Sequence, residues 1–281
     1  GFAIAAFYGF TPNAITLIRT DKFGDTLWTR NYEGGQPHKL IRTFDGGFAI
    51  VGAKVGAPNY LLKTNDSGDT LWTMGYSGSM LSYPNDLCQT SDSGYVIATE
   101  GGFFKVDKNG SYLWDVYMCY CNAVKEGLNG DIIATGSTCN GPDYYTVDRV
   151  SSTGQVIWNR TYGNINDNSE WYGGSDIQLS ADSNLLVVCD DYYGGWDLMK
   201  LDYANGDTLF TKDFNVLSVF TLNAPLAYMN DSNLITFRNP EFVKFDQSGN
   251  IIWNTTATFE PYEITGCSDG GLAATGIYYP S

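Results

Sequence analysis

Asp25-Thr26-Leu27-Trp28-Thr29 has five later echoes in this chain. They are Asp69-Thr70-Leu71-Trp72-Thr73, Tyr112-Leu113-Trp114-Asp115, Val156-Ile157-Trp158-Asn159, Asp207-Thr208-Leu209-Phe210-Thr211 and Ile251-Ile252-Trp253-Asn254. The aromatic recurs after 44, 42, 44, 52 and 43 residues. A period of that size is the mark of a repeat architecture, in which no unit buries its apolar face alone and neighbours must stack.

Within a period the sequence reads as four strands, here a to d. In the second unit Lys39–Thr43 is strand a, Phe48–Gly52 strand b and Tyr60–Thr64 strand c, and strand d carries Trp72. The a–b and c–d connections are tight turns such as Asp45-Gly46-Gly47 and Asp66-Ser67-Gly68. Gly and Asn supply positive φ there, while Asp and Ser hydrogen-bond the turn's own backbone. No segment sustains a 3.6-residue apolar period. The expected fold is all-β: a β-propeller of four-stranded antiparallel blades, with residues 1–281 as one domain of about six full repeats plus a partial one. The tally of six a, seven b, six c and six d strands allows six blades or seven, with seven favoured. The aromatics at 28, 72, 114, 158, 210 and 253 are expected to fill the space between neighbouring blades.

With 32 Gly, 15% aromatic residues and 17% charged residues, composition agrees with strands and tight turns. The net charge of −15 repels phosphate backbones and argues against nucleic-acid binding. No run of 18 apolar residues is present, so no membrane-spanning helix is expected. Six cysteines accompany a single His, without a Cys-x-x-Cys, which is a poor inventory for zinc. Cys121 and Cys139 flank Asn129-Gly130 almost symmetrically and are the expected disulfide, with Cys119 as the rival partner. One such bridge points to an oxidising compartment.

The phrases Asp45-Gly46-Gly47-Phe48-Ala49-Ile50-Val51-Gly52 and Leu61–Thr73, with its Gly68-Asp69-Thr70-Leu71-Trp72 core, resemble the repeats of secreted propeller proteins of Bacteroidota. Many such proteins resemble cargo of the type IX secretion system. The resemblance implies an extracellular or cell-surface place and no single activity. No sorting domain is visible here, and the chain is expected to belong to a longer polypeptide or a larger assembly. Thr64–Thr70 is also similar to the Asp-box turn of sialidase-like propellers, with one extra residue before Trp72.

The b–c and d–a loops share the other face and are long and varied. Binding is usually placed on loops that vary over a rigid scaffold. That face gathers aromatics, among them Tyr8, Phe10, Tyr32, Tyr76, Tyr83, Tyr117 and Tyr120, and most densely, beside carboxylates, at Glu170-Trp171-Tyr172-Gly173-Gly174 and Asp190-Asp191-Tyr192-Tyr193-Gly194-Gly195-Trp196. Trp171, Tyr172, Asp190, Asp191, Tyr192, Tyr193 and Trp196 are therefore the expected ligand-binding residues, for a glycan or a protein partner. No catalytic residue is assigned. His38, the single histidine, sits beside Pro37 and reads as an ordinary loop residue. The expectation is a non-enzymatic binding or structural module; the alternative is a glycan-active hydrolase or lyase. No cofactor is expected. The turn carboxylates are of the kind Ca2+ takes, but hairpin chemistry explains them without metal.

Overall fold

The computed structural model describes all residues except 8–13, 34, 55, 79–82, 140–144, 164–172, 191–195, 215–224, 239 and 278–281. The described strands form antiparallel sheets in chain order. The first holds β1 (Ala3–Phe7), β2 (Ala14–Thr20) and β3 (Thr26–Glu33). The second holds β4 (Gln36–Arg42), β5 (Phe48–Lys54), β6 (Ala57–Thr64) and β7 (Thr70–Tyr76). The third holds β8 (Pro84–Gln89), β9 (Tyr95–Thr99), β10 (Gly102–Val106) and β11 (Tyr112–Tyr117). The fourth runs β12 (Tyr120–Glu126), β13 (Ile132–Ser137), β14 (Tyr145–Val150) and β15 (Val156–Tyr162). The fifth holds β16 (Gly173–Leu179), β17 (Leu185–Asp190), β18 (Trp196–Leu201) and β19 (Thr208–Asp213). The sixth holds β20 (Leu226–Tyr228), β21 (Leu234–Arg238), β22 (Glu241–Phe245) and β23 (Ile251–Thr256), and the seventh only β24 (Glu260–Gly266) and β25 (Leu272–Ile277). Strand types a to d fall where the repeat puts them. Among the described residues the first sheet has no a strand, and the seventh shows only a and b. The only helix among the described residues is a 3-10 turn, Leu128–Gly130.

The chain divides into two compact units, 1–126 with 151–155, and 127–150 with 156–281. In both, the series aromatic meets the next sheet. In the first unit the Trp28 ring lies edge-on to Phe48 at 6.1 Å, and Trp72 edge-on to Tyr95 at 6.0 Å. The c–d turn glycine of the following sheet closes over each indole. A β-carbon on Gly68 would lie 2.9 Å from Trp28 Cη2, and one on Gly110 3.0 Å from Trp72 Cζ3. On Gly154 it would lie 2.8 Å from Trp114 Cγ, and in the second unit, on Gly206, 3.1 Å from Trp158 Cε3. Trp28, Trp72, Trp114 and Trp158 thus lie against the next sheet, whereas Trp253, in the same series, is 37% exposed.

Two further latches repeat with the period. The tyrosine four residues beyond the Trp donates its hydroxyl to the same turn glycine's carbonyl: Tyr32 to Gly68 at 2.7 Å, Tyr76 to Gly110 at 2.8 Å, Tyr162 to Gly206 at 2.6 Å. Tyr32 and Tyr76 thus leave the loop-face aromatics to which the sequence assigns them; both are buried. In the second to sixth sheets a cation near the end of the c strand also reaches back to the a–b turn carboxylate. These pairs are Lys63–Asp45 at 2.8 Å, Lys105–Asp92 at 2.6 Å, Arg149–Asp131 at 2.7 Å, Lys200–Asp182 at 2.7 Å and Lys244–Asp231 at 2.6 Å. Each holds a turn against its own sheet.

The c–d turn side chains cap their own loops. Asp107 Oδ1 accepts from the amides of Asn109 and Ser111, and Asn65 Oδ1 from those of Ser67 and Asp69.

The disulfide expectation needs correction. Cys119 and Cys139 are the bonded pair, and Cys121 is a buried thiol. Cys121 lies within β12 with its side chain in the core, where its Sγ donates to Ala123 O. Cys119 precedes that strand, in the β11–β12 connection.

Candidate functional site

Of the expected binding residues, Trp171, Tyr172, Asp191, Tyr192 and Tyr193 lie outside the described residues, and Asp190 is described only as the last residue of β17. Trp196 is placed, but not on a binding face. It is 1% exposed, stacks on Phe214 at 3.8 Å with 6° between the planes, and joins Leu198, Leu226 and Phe245 in the core. It opens β18, whose alternation turns its ring inward.

The first unit offers a different constellation on its d–a connections. Tyr83 (55% exposed), Tyr117 (61%) and Tyr120 (44%) stand at the ends of d strands and starts of a strands. Beside them the a strands carry bulges: β4 slips register between Pro37 and Lys39, and β8 between Pro84 and Asp86. A bulge re-aims the extra side chain, and such positions gather at functional sites. The extra residues here are His38 and Asn85. His38 therefore belongs to a strand, not a loop, and its ring lies 6.4 Å from that of Tyr83 at 39°. Burial lowers the His38 pKa, so the imidazole is neutral at neutral pH. Asn85 Nδ2 donates to Cys121 O at 2.9 Å.

Next to these residues lies a charged line across three consecutive a strands. Asp86 on β8 meets Lys39 of β4 at 3.4 Å and Lys125 of β12 at 3.3 Å, and its Oδ2 accepts from the Val124 amide at 3.0 Å. Burial pushes this carboxyl up, but Lys125, Lys39 and the amides of Val124 and Leu87 outweigh it and hold the pKa below the usual range. The second unit repeats the backbone part of the motif: Asp176 of β16 accepts from the Leu226 amide at 2.9 Å.

Elsewhere in the first unit, a cleft of about 350 Å³ opens between the first two sheets, lined by Asn31, Glu33, Lys54, Tyr60, Thr70 and Thr73 among others. No cluster of three or more His, Cys, Asp or Glu suited to a metal ion occurs among the described residues. No helix among them is long and apolar enough to cross a membrane.

One titratable group stands apart. Asp148 on β14 is 3% exposed and bonds the Asn159 amide. Burial pushes its pKa up to about 6, against the Asn159 hydrogen bond. Since the folded-state value lies above the unfolded one of 3.8, the folded chain binds the proton more tightly. Stability from this group is full below about pH 4 and falls as pH rises through about 6. Asp148→Asn should therefore raise the unfolding free energy at pH 8 by about 1–3 kcal/mol and change little at pH 4. Urea titrations at the two pH values check this.

No protein-family model matches the chain, and no curated protein does. Solved structures do. The chain is similar to virginiamycin B lyase from Staphylococcus aureus, at 18% identity and TM-score 0.65, over 85% of this chain and 77% of that one. It is similar to the Dos1 propeller, at 14% identity and TM-score 0.64, over 93% and 70%. It is also similar to the periplasmic gluconolactonase PpgL of Pseudomonas aeruginosa, at 12% identity and TM-score 0.65, over 87% and 77%. The fold is a β-propeller. The expectation of a non-enzyme is corrected by the same neighbours, because a lyase and a lactonase share this scaffold. Fold likeness at such identity leaves the chemistry to be argued from the site.

Proposed function

We propose that the d–a face of the first unit binds a hydroxyl-rich ligand, a glycan, outside the cytoplasm. One observation carries this reading: three exposed tyrosines, Tyr83, Tyr117 and Tyr120, stand on the d–a connections of the first unit, with the His38 ring 6.4 Å from that of Tyr83 and bulges near the starts of β4 and β8. Flat phenol rings stack on the apolar faces of sugar rings, while imidazole and amide groups take their hydroxyls. In the second unit the proposal rests on sequence, on Trp171, Tyr172, Asp190, Asp191, Tyr192 and Tyr193, without Trp196. The Asp-Gly-Gly and Gly-Asp-Thr-Leu-Trp repeats, similar to those of type IX cargo, and the Cys119–Cys139 bridge support an extracellular or cell-surface location.

A second reading, turnover of the bound glycan, is favoured by the neutral imidazole of His38, which can accept a proton at neutral pH. A glycan array followed by calorimetry on its hits tests binding. Tyr83→Ala should weaken the best hit about 3–10-fold. Unchanged affinity in both Tyr83→Ala and Tyr120→Ala would remove the proposal. Product release on the same panel, lost in His38→Ala while affinity persists, would establish the second reading.

A further inference from the structure

The cleft between the first two sheets is lined by side chains that the repeat does not require. Glu33 ends β3, Lys54 ends β5, and Tyr60 lies in β6. Matched on the Trp, the first b-strand residue and the c-strand lysine, the next pair of sheets holds Ser77, Gly101 and Gly102 at these places. Sheets therefore pack on one another without a carboxylate, an ammonium or a phenol here, and the three need another cause.

Tyr60 ties the other two together. It is 4% exposed, its hydroxyl donates to the Glu33 carbonyl at 3.2 Å, and Lys54 Nζ lies 4.6 Å from the centre of its ring. Burial pushes the Tyr60 pKa up and the Glu33 carboxylate adds to the rise, which puts that charge beside the same phenol. Among the described residues the Glu33 carboxylate has no hydrogen bond or ion pair, and Lys54 has the ring but no carboxylate. One aromatic floor thus carries an anion and a cation, each with its hydrogen-bonding capacity unspent. Thr70, Thr73 and Asn31 line the same cleft. Asn31 Oδ1 accepts from the Thr16 hydroxyl at 2.9 Å, which leaves its Nδ2 hydrogens to donate. At about 350 Å³ the space is at the small end of ligand sites.

We infer that this cleft binds a free polar α-amino acid, with its ammonium on Glu33, its carboxylate on Lys54 and its side-chain hydroxyl or amide among Thr70, Thr73 and Asn31. A zwitterion satisfies both charges of the site at once. A simple amine or a simple acid satisfies one and leaves the other unmatched, so the arrangement selects against both. The cleft shares no residue with the tyrosine and histidine constellation of the d–a connections.

Calorimetric titration of the intact chain with L-serine, L-threonine, L-asparagine and L-glutamine, beside propylamine and lactate as single-charge controls, tests this. The tightest of the four should bind at about 0.1–1 mM, at least about tenfold more tightly than either control. Glu33→Gln should erase its advantage over lactate, and Lys54→Met its advantage over propylamine. Both side chains are exposed, so both variants should keep the unfolding midpoint of the parent chain. Tyr83→Ala should leave amino-acid binding unchanged, so this site and the glycan face succeed or fail separately. The inference is overturned by no binding of any of the four up to about 10 mM, by equal binding of amino acid and controls, or by an unaltered preference in either variant.

Discussion

Asp86→Leu is expected to lower the unfolding free energy by about 3–5 kcal/mol, because removing one member of a buried ionic group leaves the others uncompensated. The carboxylate's side chain is 5% exposed between two ammonium groups, Lys39 at 3.4 Å and Lys125 at 3.3 Å, whose side chains are 17% and 27% exposed. Without it, two like charges flank the middle of three consecutive a strands of the first unit, and the Val124 amide loses its acceptor. The triple variant Lys39→Met, Asp86→Leu, Lys125→Met should recover most of the loss, since a buried ionic cluster replaced by apolar side chains is often neutral or better. Urea unfolding at neutral pH distinguishes the cases. A single-variant cost below about 1 kcal/mol would mean that the cluster is far better hydrated than its burial indicates.

Trp158→Ala should cost a similar amount, about 3–5 kcal/mol, by leaving a cavity that packed neighbours cannot close. The indole is 7% exposed, donates Nε1 to the Tyr203 carbonyl at 3.1 Å and lies under Gly206. Trp253→Ala, at the equivalent place in the sixth sheet, removes a ring that is 37% exposed and that no turn among the described residues covers. It should cost no more than about 1 kcal/mol, as for other exposed sites. Near-equal losses at the two positions would contradict the description of the repeat.

Much of this architecture was legible from the chain. Turn residues with obligatory conformations and a large aromatic at fixed spacing are local signals, and they located the strands and their order. What a linear sequence does not show is relational. Lys63, Lys105 and Lys200 close apolar runs and read as strand ends; only the folded sheet shows that each one reaches a turn acid 13–18 residues earlier. Tyr32 and Tyr76 looked like loop aromatics because their Gly partners lie 36 and 34 residues on. Trp196 sat in a run of polar and glycine residues that suggested exposure, yet strand alternation turns it into the core. Pro37 suggested a loop at His38, but proline is tolerated at a bulge on the first strand of a sheet. The candidate face was therefore half legible: its side of the blades followed from loop lengths, while His38, Asn85 and the Lys39–Asp86–Lys125 line emerged only from register.

The central claim is that Gly68, Gly110, Gly154 and Gly206 are each required by the aromatic of the preceding sheet, beyond what the turn's own backbone demands. Gly24 and Gly110 separate these causes. Both occupy the same turn position with similar φ, +92° and +83°, but a β-carbon on Gly24 meets nothing within 4 Å. On Gly110 it would lie 2.8 Å from Met74 Cγ, 3.0 Å from Trp72 and 3.2 Å from the Tyr76 hydroxyl. Unfolding free energies of Gly24→Ala and Gly110→Ala, measured side by side, give the answer. The predicted result is a loss of about 1 kcal/mol at Gly24 from left-handed backbone strain, and a further loss of about 1–3 kcal/mol at Gly110 from overpacking. Equal losses at both positions would contradict the account.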